Sequence, residues 1–222
     1  MSFNCENIGF TRRKAIFYLG QGLLFGIFIY IISYGIEILI NILHGQFKSL
    51  EFYVSTYSVE GNIGKQTAII FFLICILGNI INVIMEEGIF RGLFQKLFEQ
   101  KYNFLLSAIL SSLLFGFWHV VAPLRSYYDG TISFEEMFIN IIILVVTSTL
   151  VGFKFSMITK LTGNLYMSMG DHFVNNTIIN VLHIVSKDGS IDKLLVMRIS
   201  IAQTLSFLIV LIYFKLSKNE CS

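Results

Sequence analysis

Six apolar runs dominate this 222-residue chain, near Ala15 to Leu43, Gln66 to Met85, Phe104 to Ala122, Phe138 to Met157, Leu165 to Val185 and Leu194 to Phe214. Each is close to the ~20 residues that a helix needs to cross a bilayer core of roughly 30 Å. Inside that core every backbone N–H and C=O must be bonded within the protein, which leaves helices as the natural form for such runs. The sequence therefore predicts an all-α fold, a polytopic membrane bundle of about six transmembrane helices. Composition agrees: 55% of residues are hydrophobic and 14% charged, and the mean hydropathy is +0.74, far outside the range of a soluble domain. One proline and 22 phenylalanines suit continuous lipid-facing helices rather than linkers between modules. No repeat or composition break divides the chain, so residues 1–222 read as a single integral membrane domain.

Several classes drop out early. A formal net charge of +2 is too small for nucleic-acid binding. Cys5, Cys75 and Cys221 make no CxxC pair and no even-numbered framework, so neither a disulfide scaffold nor a cysteine-bound metal is indicated. The first run follows "TRRK", is too long for a signal-peptide core and lacks a small-residue cleavage site, which reads as an uncleaved first helix. On alternate sides of the runs, one side holds Arg12, Arg13, Lys14, Arg91, Lys96, Lys101, Lys154, Lys160, Lys215 and Lys218. The other holds Lys48, Lys65, Arg125, Lys187, Lys193 and Arg198. Ten against six predicts both termini in the cytoplasm of a multi-pass cell-membrane protein.

Polar residues inside the runs carry the chemistry. Each ionised group in a spanning helix costs roughly 2.5–3.5 kcal/mol on insertion scales, so those retained need a reason. In "NVIMEEGIFRGLF", Glu87 lies one turn before Arg91 and can pair with it, whereas Glu86 points about 100° away, toward the face of Asn79, Asn82 and Phe90. Glu86 is then a carboxylate whose pKa is free to rise by desolvation into the range of a general base. A solvated helix end at the interface would explain the same charges. In "SSLLFGFWHV", His119 follows Phe115 by one turn and Ser111 and Ser112 by two; a single histidine on an apolar face is more often a hydrogen-bonded packing residue or an interfacial anchor, here beside Trp118, than a catalyst. In "GDHFVNNTIINVLH", His172, Asn176 and Asn180 repeat every four residues, with His183 continuing the stripe. That stripe faces other helices or a wet cavity, and interhelical hydrogen bonds of roughly 0.6–2 kcal/mol are its structural explanation.

Helix geometry brings these segments to one depth. If the second and third runs form a hairpin turning near Lys101 to Asn103, Glu86 and His119 both lie about 22–24 Å from the turn, and His172 lies about 14 Å from its own connection at Gly163. A straight helix from Gln66 to Gln100 would be about 50 Å long, so it must tilt, protrude or break, with Gly88 the place for a break.

The set "EEGIFR" (Glu86, Glu87, Arg91), "FGFWH" (Phe115, His119) and "HFVNN" (His172, Asn176) resembles the EExxxR, FxxxH and HxxxN/D motifs of the CPBP family. That family includes the type II CAAX prenyl endopeptidases and bacterial proteins similar to the lysostaphin resistance protein. "GNLYMSMGDH" also looks like its lead-in to the third motif, and the family-like core runs approximately over residues 66–185. The resemblance implies an intramembrane endopeptidase with its catalytic cavity inside the bundle, acting on a peptide or membrane-protein substrate. It implies Glu86 as general base, His119 as the group that holds and polarises water, and His172 with Asn176 as oxyanion donors. Glu87, Arg91 and Phe115 would support them. It favours no cofactor, with zinc held by Glu86, His119 and His172 as the alternative. A bacteriocin self-immunity protein of the same fold is the second reading, with or without proteolysis. A small proton-coupled transporter is the third, and the absence of an internal repeat argues against it.

Overall fold

The computed structural model describes residues 8–11, 13–57 and 63–219, with the side chains of residues 218 and 219 left aside. Cys5, Arg12, Glu60, Cys221 and the Lys218 side chain lie outside the described residues. In chain order the elements are α1 (Ala15–Leu43), β1 (Phe47–Phe52), α2 (Ile69–Glu87), a π-helical turn (Gly88–Phe94), α3 (Gln95–Glu99), α4 (Phe104–Trp118) and α5 (Val121–Tyr128). Then follow α6 (Phe134–Thr162), α7 (Tyr166–Val181), β2 (Leu182–Ser186) and α8 (Leu195–Asn219). Five stretches are long and apolar enough to cross a membrane: Ala15–Leu43, Ile69–Glu99, Phe104–Tyr128, Phe134–Thr162 and Leu195–Ser217. Their outward faces carry Ile and Leu, many more than half exposed, which is tolerable where the solvent is lipid.

The all-α polytopic bundle is thus realised, with one departure in the fifth apolar run. Its helix, α7, stops after 16 residues, and the chain continues as β2, antiparallel to β1 with Leu50 opposite Ile184 and Glu51 opposite His183. The β-branched pair Ile184–Val185 suits a pleated strand, and β1 alternates half-buried with exposed positions as a strand does. His183 consequently leaves the helical stripe of His172, Asn176 and Asn180.

The chain forms two compact units, one comprising Met1–Ala15, Met85–Ser168 and Ile209–Ser222, the other Ile16–Ile84 and Met169–Leu208. In the first, Asn103 caps α4 by accepting from the Leu106 amide at 3.0 Å, which places the hairpin turn where the sequence predicts it. A reciprocal Ser133–Glu136 capping box starts α6, and Gly163 in the left-handed region (φ 70°) ends it.

In the second unit α1 and α7 approach closely at Gly170, where a Cβ would sit 2.6 Å from the Leu19 carbonyl and 2.8 Å from the Leu23 amide. Only glycine fits there. The core beside it gathers Ile29, Tyr30, Tyr34, Val174, Ile184 and Ala202. A buried ion network fastens the β-hairpin to this core. Arg198 of α8 is fully buried and bridges Glu37 of α1 at 3.0 Å and Asp192 at 2.9 Å, with its guanidinium 4.1 Å above the Tyr34 ring. Asp192 also takes His183 Nδ1 at 2.6 Å and the Ile184 amide at 3.0 Å. Burial pushes the Asp192 carboxyl up, but His183, the Ile184 amide and Arg198 outweigh it and hold the group below its ordinary value. Each charge thus has a partner, without which burying any of them would be prohibitive.

Candidate active site

The first unit contains Glu86, Glu87, Arg91, Phe115 and His119, and the backbone at "EEGIFR" explains why the chain needs that spelling. Helix α2 runs α-helically to Glu87 and then widens into the π turn, so that the Gln95 amide bonds back to Phe90 O rather than one residue nearer. The Ser111 hydroxyl of α4 donates to the same carbonyl. Such π segments are uncommon and concentrate at functional sites. The break expected at Gly88 is therefore a change of winding, and the helix axis is not interrupted.

Glu87 and Arg91 are both 0% exposed, with Arg91 Nη1 3.3 Å from Glu87 Oε1. The guanidinium carbon lies 4.1 Å from the Phe115 ring centroid and 5.3 Å from that of Phe155, so aromatic faces take the place of water around it. Gly152 of α6 makes room: a Cβ there would lie 2.8 Å from Arg91 Nη2, 3.0 Å from Phe115 and 3.2 Å from Ser112. Glu86, at 4% exposure, is buried on the neighbouring face. The interfacial reading of these charges does not survive, because none of the three is solvated.

Phe115 has a second task. His119 caps the end of α4, its Nδ1 2.8 Å from Phe115 O and its ring edge-on to the Phe115 ring at 4.8 Å. A carbonyl only accepts, so Nδ1 carries the proton, and in the neutral ring Nε2 keeps a lone pair. One phenylalanine therefore stacks on the arginine with its ring and fixes the histidine tautomer with its carbonyl. Phe90 and Phe115 meet edge-to-face at 5.2 Å across the antiparallel hairpin. Glu86 is one turn before Phe90 and His119 one turn after Phe115, so both step in the same direction and stay level. Next to them in sequence, Met85 and Trp118 help line an apolar cleft of about 430 Å³ with Ile89, Phe90, Phe94, Leu114 and Phe117.

The second unit contains His172 and Asn176 on α7, at 4% and 7% exposure, with Asn180 below them. The stripe is buried, as a polar stripe in a membrane helix must be. The structure thus brings together Glu87, Arg91, Phe115 and His119, with Glu86 beside them, while His172 and Asn176 share a face in the other unit. Gly152 and Phe155 are site residues that sequence reasoning misses, since nothing in "TLVGFKF" signals a partner for Arg91. Ser111 stands out as a polar residue two turns before His119, and its role as the π-turn clasp becomes visible only in the fold.

Residues 67–178 match the protein family described as type II CAAX prenyl endopeptidase, Rce1-like, and all the residues just named from Glu86 to Asn176 fall inside that stretch. No curated protein and no solved structure matches the chain. With half of its length matched and five helices able to span a bilayer, this multi-pass membrane protein belongs to the Rce1-like family of type II CAAX prenyl endopeptidases.

Proposed function

We propose that the protein is an intramembrane endopeptidase in which Glu86 activates water against a peptide carbonyl. The observation that carries this reading is the division of labour between two adjacent carboxylates: Glu87 is committed to Arg91, and Glu86 lies next to it on another face, one turn before Phe90 as His119 lies one turn after its partner Phe115. In the reaction Glu86 takes a proton from water, the resulting hydroxide attacks the carbonyl carbon, and the same proton passes to the departing amine as the C–N bond breaks. His119 Nε2 accepts a hydrogen bond from the water and holds it. His172 and Asn176 donate to the oxyanion, a contribution that grows in a low-dielectric site. The apolar cleft fits a hydrophobic segment of the substrate beside the scissile bond. Comparing the membrane proteomes of wild-type and Glu86→Ala cells tests the function: peptides whose processing stops in the variant are the expected result. Identical peptide profiles would leave a non-proteolytic immunity protein of the same fold.

Orientation rests on the loop charges. Arg91, Lys154 and Arg198 are buried within helices, and leaving them out gives eight against five in the same sense. With α7 counted as a sixth crossing beside the five longer ones, in keeping with the pairing of β1 after α1 with β2 after α7, we place both termini in the cytoplasm. In a cysteine-free background, cysteines at Ser133 and Gly189 should react with an impermeant thiol reagent added outside intact cells, and one at Asn103 should not. The opposite labelling pattern would invert the protein.

A further inference from the structure

Beside the His172/Asn176 stripe on α7, the adjacent residue Asn175 makes a set of hydrogen bonds that determines which way round the Asn176 amide sits. Tyr30 of α1 donates its hydroxyl to Asn175 Oδ1 at 2.5 Å, and Gln203 of α8 donates Nε2 to the same oxygen. Asn175 Nδ2 in turn donates to Asn176 Oδ1 at 3.1 Å. The polarity of this chain follows from the Gln203 amide, which turns its nitrogen toward Asn175. An amide nitrogen only donates, so Gln203 Nε2 must meet the oxygen of Asn175, not its nitrogen. The Asn175 nitrogen is thereby turned toward Asn176 and requires an acceptor there. The oxygen of Asn176 fills that requirement. Among the described residues that is the only hydrogen bond of the Asn176 side chain, so its NH₂ donors remain for another molecule.

We propose that Tyr30, Gln203 and Asn175 are positioning residues, an amide relay that holds Asn176 with its nitrogen, and not its oxygen, available to the developing oxyanion. The inference rests on the reading of Asn176 as an oxyanion donor. An asparagine side chain free to turn over about its last bond would present an acceptor half of the time, and an acceptor facing an oxyanion is repulsive. Tyr30 and Gln203 lie outside the residues that match the family, so the relay assigns a task in the reaction to helices α1 and α8.

The test uses the full-length protein in bilayer nanodiscs and an internally quenched prenylated CAAX peptide as probe. Glu86-dependent processing in cells provides a second readout that needs no chosen peptide. Asn175→Asp keeps both acceptor contacts with Tyr30 and Gln203 and offers Asn176 an acceptor in place of a donor, which turns the Asn176 amide over. The expected result is a fall in kcat of about 100-fold, the scale of one lost oxyanion donor, with KM little changed. The loss should deepen as pH rises, because a protonated carboxyl at position 175 could still donate to Asn176. Gln203→Glu should reverse the relay in the same way, whereas Gln203→Leu merely releases it and should cost only about twofold, the fraction of molecules still correctly oriented. Thermal unfolding and membrane level should be alike in the two Gln203 variants, and that pair carries the test if Asn175→Asp fails to accumulate. Asn176→Ala separates the two layers of the argument. If it leaves kcat intact, the oxyanion reading itself fails. If it lowers kcat but Asn175→Asp does not, or if Asn175→Asp costs as much again in the Asn176→Ala background, the relay is overturned. Loss in both single variants with no further loss in the double variant is the outcome expected of a relay acting through Asn176.

Discussion

Glu86→Gln should abolish peptide cleavage while the protein stays in the membrane at near wild-type level. The amide preserves the size of the side chain and removes the proton acceptor, so the loss expected is that of a general base, about 100- to 10,000-fold. Glu87→Ala should behave differently although its Cα is the next one along the chain. It strips the ion-pair partner from a guanidinium that is 0% exposed, a change that costs about 3–5 kcal/mol when a buried pair is broken. Activity and protein level should therefore fall together. Measuring both quantities for both variants distinguishes the roles, and substantial turnover by Glu86→Gln would remove Glu86 from the mechanism.

His172→Asn, read together with metal content, gives the second large effect. The His119 tautomer, with Nδ1 bonded to Phe115 O, leaves Nε2 able to accept from water or to ligate an ion, and a backbone carbonyl behind a metal-bound imidazole is a common arrangement. Both mechanisms thus ask the same of His119, and they differ in what they ask of His172. As an oxyanion donor it acts without any ion, and its loss should cost about 100- to 1,000-fold in rate. As a ligand it would share one zinc with Glu86 and His119, and replacing either histidine would release the metal along with activity. We expect zinc well below one per protein in purified active material, activity that survives prolonged chelation, and residual cleavage by His172→Asn. One tightly held metal per active molecule, lost in both histidine variants, would establish the zinc site instead.

Local spacing made much of the site legible. Glu87 and Arg91, four residues apart on an apolar helix, could scarcely do anything but pair, and Glu86 was singled out by being the neighbour that could not join them. The hairpin near Asn103 was readable because helix rise is constant and the polar residues sat equally far from the turn. What escaped was set by contacts between distant parts of the chain. Gly152 and Phe155 matter because α6 passes Arg91, and no pattern within α6 announces it. His183 continues a helical stripe in the sequence, and β1, more than 130 residues earlier in the chain, is what draws it into a strand. The strand signal in "FKSLEF" was present, but six residues of alternation are too few to stand out between two long apolar runs. The π turn had no sequence signature beyond Gly88, since widening one turn depends on the Phe90 carbonyl finding Ser111 on the adjoining helix.

The ion network around Arg198 bears on how this protein can be cut and recombined. Helix α7 carries the third motif, His172 and Asn176, yet the strand that follows it is fastened through Asp192 and Arg198 to Glu37 near the other end of the chain. A segment excised at the boundaries of the family match would contain every motif residue and lack the hairpin, Arg198, Tyr30 and Gln203. Presence of the motifs and portability of the motifs are therefore separate properties here: the matched stretch is not a cassette that could be moved between scaffolds. A chimera that transplants it needs α1 and α8 from the same source, as a matched pair.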